Sequence, residues 1–195
     1  MATLTRVYDT YSHAQRVVSE LQTAGIPPAN LSLLANKHVS EKYANVDETS
    51  AAGTGAGLGA ALGGSAGLLA GLGLLAIPGL GPVVAVGWLA STALGVAAGA
   101  ATGGILGALV GEGVPERHAH VYAESIRRGG TMVTAKVDDA ARASIEAIMD
   151  RHSPIDPDTR GAEYRDAGWK EFDPGAKPYQ PDEAEIERMR RDYRN

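Results

Sequence analysis

No cysteine occurs among the 195 residues, which excludes a disulfide framework, a thiolate metal site and a cysteine nucleophile. The opening Met1-Ala2-Thr3-Leu4-Thr5-Arg6 lacks the apolar run of a signal peptide, so translocation of the N-terminus is not expected. A large charge excess is missing too: 18 basic against 23 acidic residues give a net −5, too mild to point at nucleic acid. The most informative shortage is local. From Thr49 to Gly111 there is no charged residue over 63 positions, and 18 of the 25 glycines fall there.

What is present divides into four zones: 1–48 mixed, 49–111 uncharged, 112–152 mixed, and 153–195 polar with prolines. Zone one reads as strand, helix, strand. Leu4 to Asp9 is a short β-branched and aromatic run. Ser12 with Gln15 makes a capping box, and Ala14, Val17, Val18 and Leu21 form one helical stripe. Gly25 and Pro27-Pro28 end that helix, and Asn30 to Ala35 supplies a second strand. In zone three Pro115 suits a helix N1 position, Ala119, Tyr122, Ala123 and Ile126 mark its buried face, and Gly129-Gly130 stops it. Thr131 to Val137 alternates as a strand, and a last helix from Asp138 carries Ala141, Ile145, Ile148 and Met149.

Neither mixed zone alone buries enough apolar surface to offset the entropy of ordering. Together they predict one small α/β (α+β) domain, a three-stranded βαβ…αβα unit of 1–48 and 112–152 interrupted by an insertion. Strands alternating with helices favour a parallel or mixed sheet.

In the insertion Gly55, Gly59, Gly63, Gly67 and Gly71 recur every four residues, and the row resumes at Gly87, Ser91, Gly95, Gly99, Gly103 and Gly107. A spacing of four puts these positions on one helical ridge, where backbones can approach closely as small-xxx-small helices do in lipid. Pro78, Gly79, Gly81 and Pro82, within the stretch 77–82, break the two rows. The expectation is an antiparallel hairpin of two glycine-zipper helices over 49–111, transmembrane in type, with its turn at 77–82. Lys37, Lys42, Arg117, Arg127 and Arg128 flank it while the turn carries no charge, so both termini would face the cytoplasm. Trp88, soon after the bend, would anchor the distal end at the interface. A water-soluble oligomer with hairpins packed on one another is the alternative.

Gly55-Ala56-Gly57-Leu58-Gly59-Ala60 fits the loose form of a dinucleotide fingerprint, but it follows a polar turn and lacks the acid some twenty residues on. The zipper accounts for it. His118 and His120 lie two apart on a helix and point to different faces, so joint metal ligation is not expected, and His13, His38 and His152 are isolated. All five read as solvated surface histidines. No catalytic residue, cofactor or metal site emerges, and an enzyme is not expected.

The tail, 153–195, holds five of the ten aromatics: Tyr164, Trp169, Phe172, Tyr179 and Tyr193. Its segment Gly168-Trp169-Lys170-Glu171-Phe172-Asp173-Pro174 reads as an extended docking element, with Trp169 and Phe172 as anchors laid on the α/β domain or on a neighbouring subunit. Residues 182–193 read as a short charged helix.

Several of these motifs together resemble a bacterial family of general stress and low-temperature-induced proteins. The likeness rests on Arg6-Val7-Tyr8-Asp9, on Gly-Ile-Pro-Pro at 25–28, and on Ala76-Ile77-Pro78-Gly79-Leu80-Gly81-Pro82 between glycine rows. It continues through Gly113-Val114-Pro115-Glu116, Arg127-Arg128-Gly129-Gly130 and Val137-Asp138-Asp139, and the tail's Gly-Trp-x-x-Phe-Asp-Pro resembles longer members. The resemblance implies a stress-associated, membrane-related protein and supplies no catalytic residues. The resulting expectation is a non-enzymatic, self-assembling protein of the cytoplasmic membrane, with lipid and further copies of itself as partners. A glycine-zipper pore, or a soluble hairpin-cored oligomer with a ligand-binding module, are the competing readings.

Overall fold

The computed structural model describes residues 1–36, 73–77, 80–88, 104–177 and 179–194. The fold is mixed α/β, as the two half-domains suggest. Strand β1 (Ala2–Tyr8) leads to helix α1 (Tyr11–Thr23), a short 3-10 turn at Pro28–Asn30 and strand β2 (Leu31–Ala35). Strands β3 (Gly73–Ile77) and β4 (Gly81–Gly87) follow, then helices α2 (Gly104–Gly111) and α3 (Glu116–Arg127) and strand β5 (Thr131–Val137). Helices α4 (Arg142–Asp150), α5 (Pro157–Asp166) and α6 (Glu183–Arg194) complete the described chain.

The five strands form one sheet in the order β1-β5-β2-β4-β3, and every neighbouring pair is antiparallel. The expected parallel or mixed sheet is therefore corrected. β1 and β2 do run the same way across α1, but β5 slots between them and opposes both, which makes a split βαβ unit. The alternation of each strand sorts side chains to two faces. On one face Leu4, Tyr8, Leu31, Leu33, Val133 and Ala135 pack on the α1 stripe Ala14, Val17, Val18 and Leu21 and on Ile145 and Met149 of α4. On the other, Val7, Leu34 and Met132 meet Ile105, Ala108 and Leu109 of α2, the Ala119–Ile126 face of α3, and Phe172. The sheet is thus covered by helices on both sides.

The largest correction concerns the insertion. Residues 73–77 and 81–87, expected to be helical, are strands that extend the sheet through β4's pairing with β2. Leu74-Leu75-Ala76-Ile77 and Val83-Val84-Ala85-Val86 are short apolar runs, whose periodicity alone does not separate a helix from a buried strand. The two strands pair as a hairpin, with Ile77 opposite Gly81. Gly81 and Pro82 belong to β4, not to the turn, and Pro82 stands opposite Ala76. Pro78 and Gly79 lie outside the described residues, as do Gly55, Gly59, Gly63, Gly67, Gly71, Gly95, Gly99 and Gly103. Of the glycine row, Gly107 sits on the exposed side of α2, while Ile105, Ala108 and Leu109 face the core. Among the described residues no helix is long and apolar enough to cross a membrane.

Smaller differences have local causes. Thr10, not Ser12, caps α1: its Oγ1 accepts the His13 N–H at 3.3 Å. Pro115 is the N-cap of α3, one position before the expected N1. The helix expected from Asp138 starts at Arg142 because a turn intervenes, with the Ala141 N–H on the Asp138 carbonyl at 2.9 Å. The tail is not extended throughout, since α5 occupies Pro157–Asp166.

Candidate functional site

Two places gather the residues that the sequence singles out: the underside of the tail on α3, and the base of the β3–β4 hairpin.

The first is built around Glu124. An amphipathic α3 would carry a carboxylate outward, yet Glu124 is 1% exposed because the tail covers it. Two consecutive arginines satisfy the buried charge. Arg127 donates from Nε and Nη2 at 2.8 and 2.6 Å, and Arg128 from Nε at 2.7 Å. Such charge-assisted, partly bidentate pairs are the strong class of hydrogen bond. The Arg128 guanidinium also lies over the Tyr164 ring at 4.4 Å and the Tyr179 ring at 4.5 Å, and its Nη1 donates to the Tyr179 hydroxyl at 3.0 Å. The Tyr179 hydroxyl in turn donates to Glu185 on α6. Burial and the Glu185 carboxylate push the Tyr179 hydroxyl well above its ordinary range. For Arg128, burial alone would favour loss of the proton, but the Glu124 bond and charge outweigh it and hold the cation.

A second tie joins α5 to the end of β1. Arg160 grips both Asp9 oxygens, at 2.8 and 3.1 Å, and Ser125 Oγ lies 3.2 Å from the Tyr164 hydroxyl. Between α3, α5 and α6 remains a cavity of about 270 Å³ bordered by Asp9, Arg128, Arg160, Glu163, Glu185 and Arg188. Arginines and carboxylates alternate around it, so its charge is balanced.

The anchors Trp169 and Phe172 both land on the protein's own α/β body. Phe172 is buried in the core beside Ile155, and its N–H donates to His120 Nδ1 at 3.2 Å. Trp169 packs at the core's margin, edge-on to Tyr164 at 5.6 Å between centroids. The reading of the histidines as merely solvated is corrected for three of the five. His120 receives the tail, His118 Nε2 lies 3.1 Å from Asp158, and His152 Nε2 lies 2.9 Å from Glu20. Their helical phase gave no sign of this, because Phe172, Asp158 and Glu20 are all distant in the chain. Among the described residues no three His, Asp or Glu side chains converge as metal ligands would.

At the second place Gly87, read as a helix-packing glycine, ends β4 with φ +90°. An added Cβ there would run into the Leu31 carbonyl and stand 2.8 Å from Ser32 Cα. The glycine is required by a close backbone approach of β4 to β2, not by a helical ridge. Trp88 follows at once and packs against the core face that includes α2. Lys136 of β5 places its Nζ 3.6 Å from the centre of the Trp88 ring and 3.8 Å from Glu112, whose other oxygen accepts the Thr3 hydroxyl at 2.8 Å. Trp88 is therefore not near the hairpin bend, as expected, since β4 carries it to the opposite end of the sheet.

The first place can fasten the tail and the second can fix where the uncharged chain leaves the body. Comparison of the chain with known protein families, with curated proteins and with solved structures finds no match.

Proposed function

We propose that this chain is a non-enzymatic, self-assembling, membrane-associated stress protein, with its α/β body and both termini on the cytoplasmic side. One observation carries the reading. The chain enters β3 at Gly73 and leaves β4 at Gly87-Trp88 at the same end of the sheet, since Gly73 pairs with Ala85 and Gly87 with Ser32. The 22 uncharged residues 51–72 and the 15 of 89–103, which hold most of the period-four glycines, are therefore joined to the body side by side. Small residues at that spacing favour close backbone contact between segments and between copies, and the lack of charge suits a lipid setting. The resemblance in motifs to general stress and low-temperature-induced proteins points the same way.

The test is flotation of the untagged protein with membranes in a density gradient containing high salt. Recovery with the membranes, released only by detergent, is the expected result. Recovery at the bottom of the gradient as a discrete oligomer would replace this reading with a soluble assembly. Gly63→Leu together with Gly103→Leu should lower the mass of the detergent-solubilised complex, and an unchanged mass would remove the glycine rows from the interface.

A further inference from the structure

We propose that the Trp88–Lys136 pair marks the surface on which the body rests against the lipid headgroup layer; this deepens the membrane reading above and rests on it. Three features converge on one end of the sheet. Gly73 and Gly87-Trp88 bring both uncharged segments there. Lys136, in the last turn of β5's pairing with β1, lies across the start of β2 from Trp88 and stacks on its ring at 3.6 Å. Gly87, close against Leu31 and Ser32, fixes where the backbone reaches Trp88.

The chemistry of the pair fits an interface. Trp88 is half-buried with its Nε1 covered, and an indole at such a margin settles at headgroup depth, while a lysine beside it can lay its stem on apolar surface and send its ammonium to phosphate. Tryptophan and lysine flanking an uncharged segment are the side chains that set the depth of such segments in a bilayer. The lysine is partly exposed, and Glu112 at 3.8 Å balances it without enclosing it. The other charges at this end include the N-terminal ammonium and Asp139, 3.4 Å apart, and the exposed Asp138, so the end has no basic excess that would require anionic lipid. A neutral phosphocholine surface is therefore sufficient.

The chain has two tryptophans, and Trp169, in the tail at the core's margin, serves as an internal reference. Trp169→Phe leaves Trp88 as the sole indole, and Trp88→Phe leaves Trp169. Each is bound to phosphatidylcholine vesicles whose acyl chains carry bromine near the headgroup or near the bilayer centre. Trp88 emission should shift to the blue on binding and lose more intensity to shallow bromine than to deep, while Trp169 emission should not change. If the protein floats with the vesicles but Trp88 is unquenched by either lipid, this surface is wrong and the membrane reading stands. If neither variant nor the unaltered protein floats, the membrane reading itself fails. Should Trp169→Phe not fold, the absence of cysteine allows Lys136→Cys carrying an environment-sensitive dye. That dye should brighten on vesicle binding, and a dye that stays dim on floating protein overturns the proposal.

Discussion

Gly87 is the residue whose sequence context was most misleading, and its substitution gives a direct test of the hairpin. Alanine there must adopt φ near +90° and displace the Leu31 carbonyl. Gly87→Ala should destabilise the protein by about 2–4 kcal/mol, from backbone strain and overpacking together. Denaturant unfolding checks this, and an unchanged midpoint would mean that β4 does not lie against β2. The sequence could not assign this role, because a glycine in a period-four row and a glycine at a close backbone approach look alike until the partner strand is known. Glu124 was hidden for a related reason. Its neighbours Arg127 and Arg128 sit at helical spacing, which any solvated helix face displays. The tyrosines that bury the cluster are 40 and 55 residues further on.

At the scale of elements, long-period patterns were readable and short ones were not. The α1 stripe and the alternation of β5 are both in place, Thr131–Val137 with unchanged bounds. β3 and β4 escaped because four or five apolar residues beside glycines satisfy a helical and an extended pattern equally. α5 escaped because its sequence carries no apolar stripe. The signal that would have found it is at its start, where Asp156 caps the Thr159 N–H at 2.7 Å and Pro157 takes the first turn. The tail as a whole is held by few large contacts, so its attachment should be separable from the body. Phe172→Ala removes a tail ring buried in the core and should cost about 3–5 kcal/mol. Limited proteolysis should then cut first between α4 and α6 while the body's fragment persists. Resistance equal to the unaltered protein would show that the Glu124 cluster and the Arg160–Asp9 tie secure the tail without the ring.

For the whole molecule, alkali is the condition that probes both faces of the sheet at once. Tyr8, whose hydroxyl donates to the Met149 carbonyl at 2.9 Å, and Tyr122 are both shifted upward from an ordinary 10, chiefly by burial, and Tyr179 on the tail is shifted likewise. The folded chain keeps these protons where the unfolded chain gives them up. Their contribution is therefore complete below pH 10 and is lost as pH rises through the higher folded values. Unfolding midpoints should fall steeply above pH 10, together with a late rise in tyrosinate absorbance. A tyrosinate titration complete near pH 10 in the folded protein would contradict the burial of these rings.

The place of β5 in the sheet has a consequence for the order of events during synthesis. β1 and β2 are made first, yet they do not touch; each pairs with β5, which begins at Thr131. β2 can pair with β4 and β4 with β3 before that strand is made, but β1 has no strand to join until β5 leaves the ribosome, and by then the whole uncharged stretch from Thr49 to Gly111 has already emerged. The glycine-rich segments therefore meet the cell before the body can close around their bases. Any partner of those segments has its first opportunity while translation is still under way.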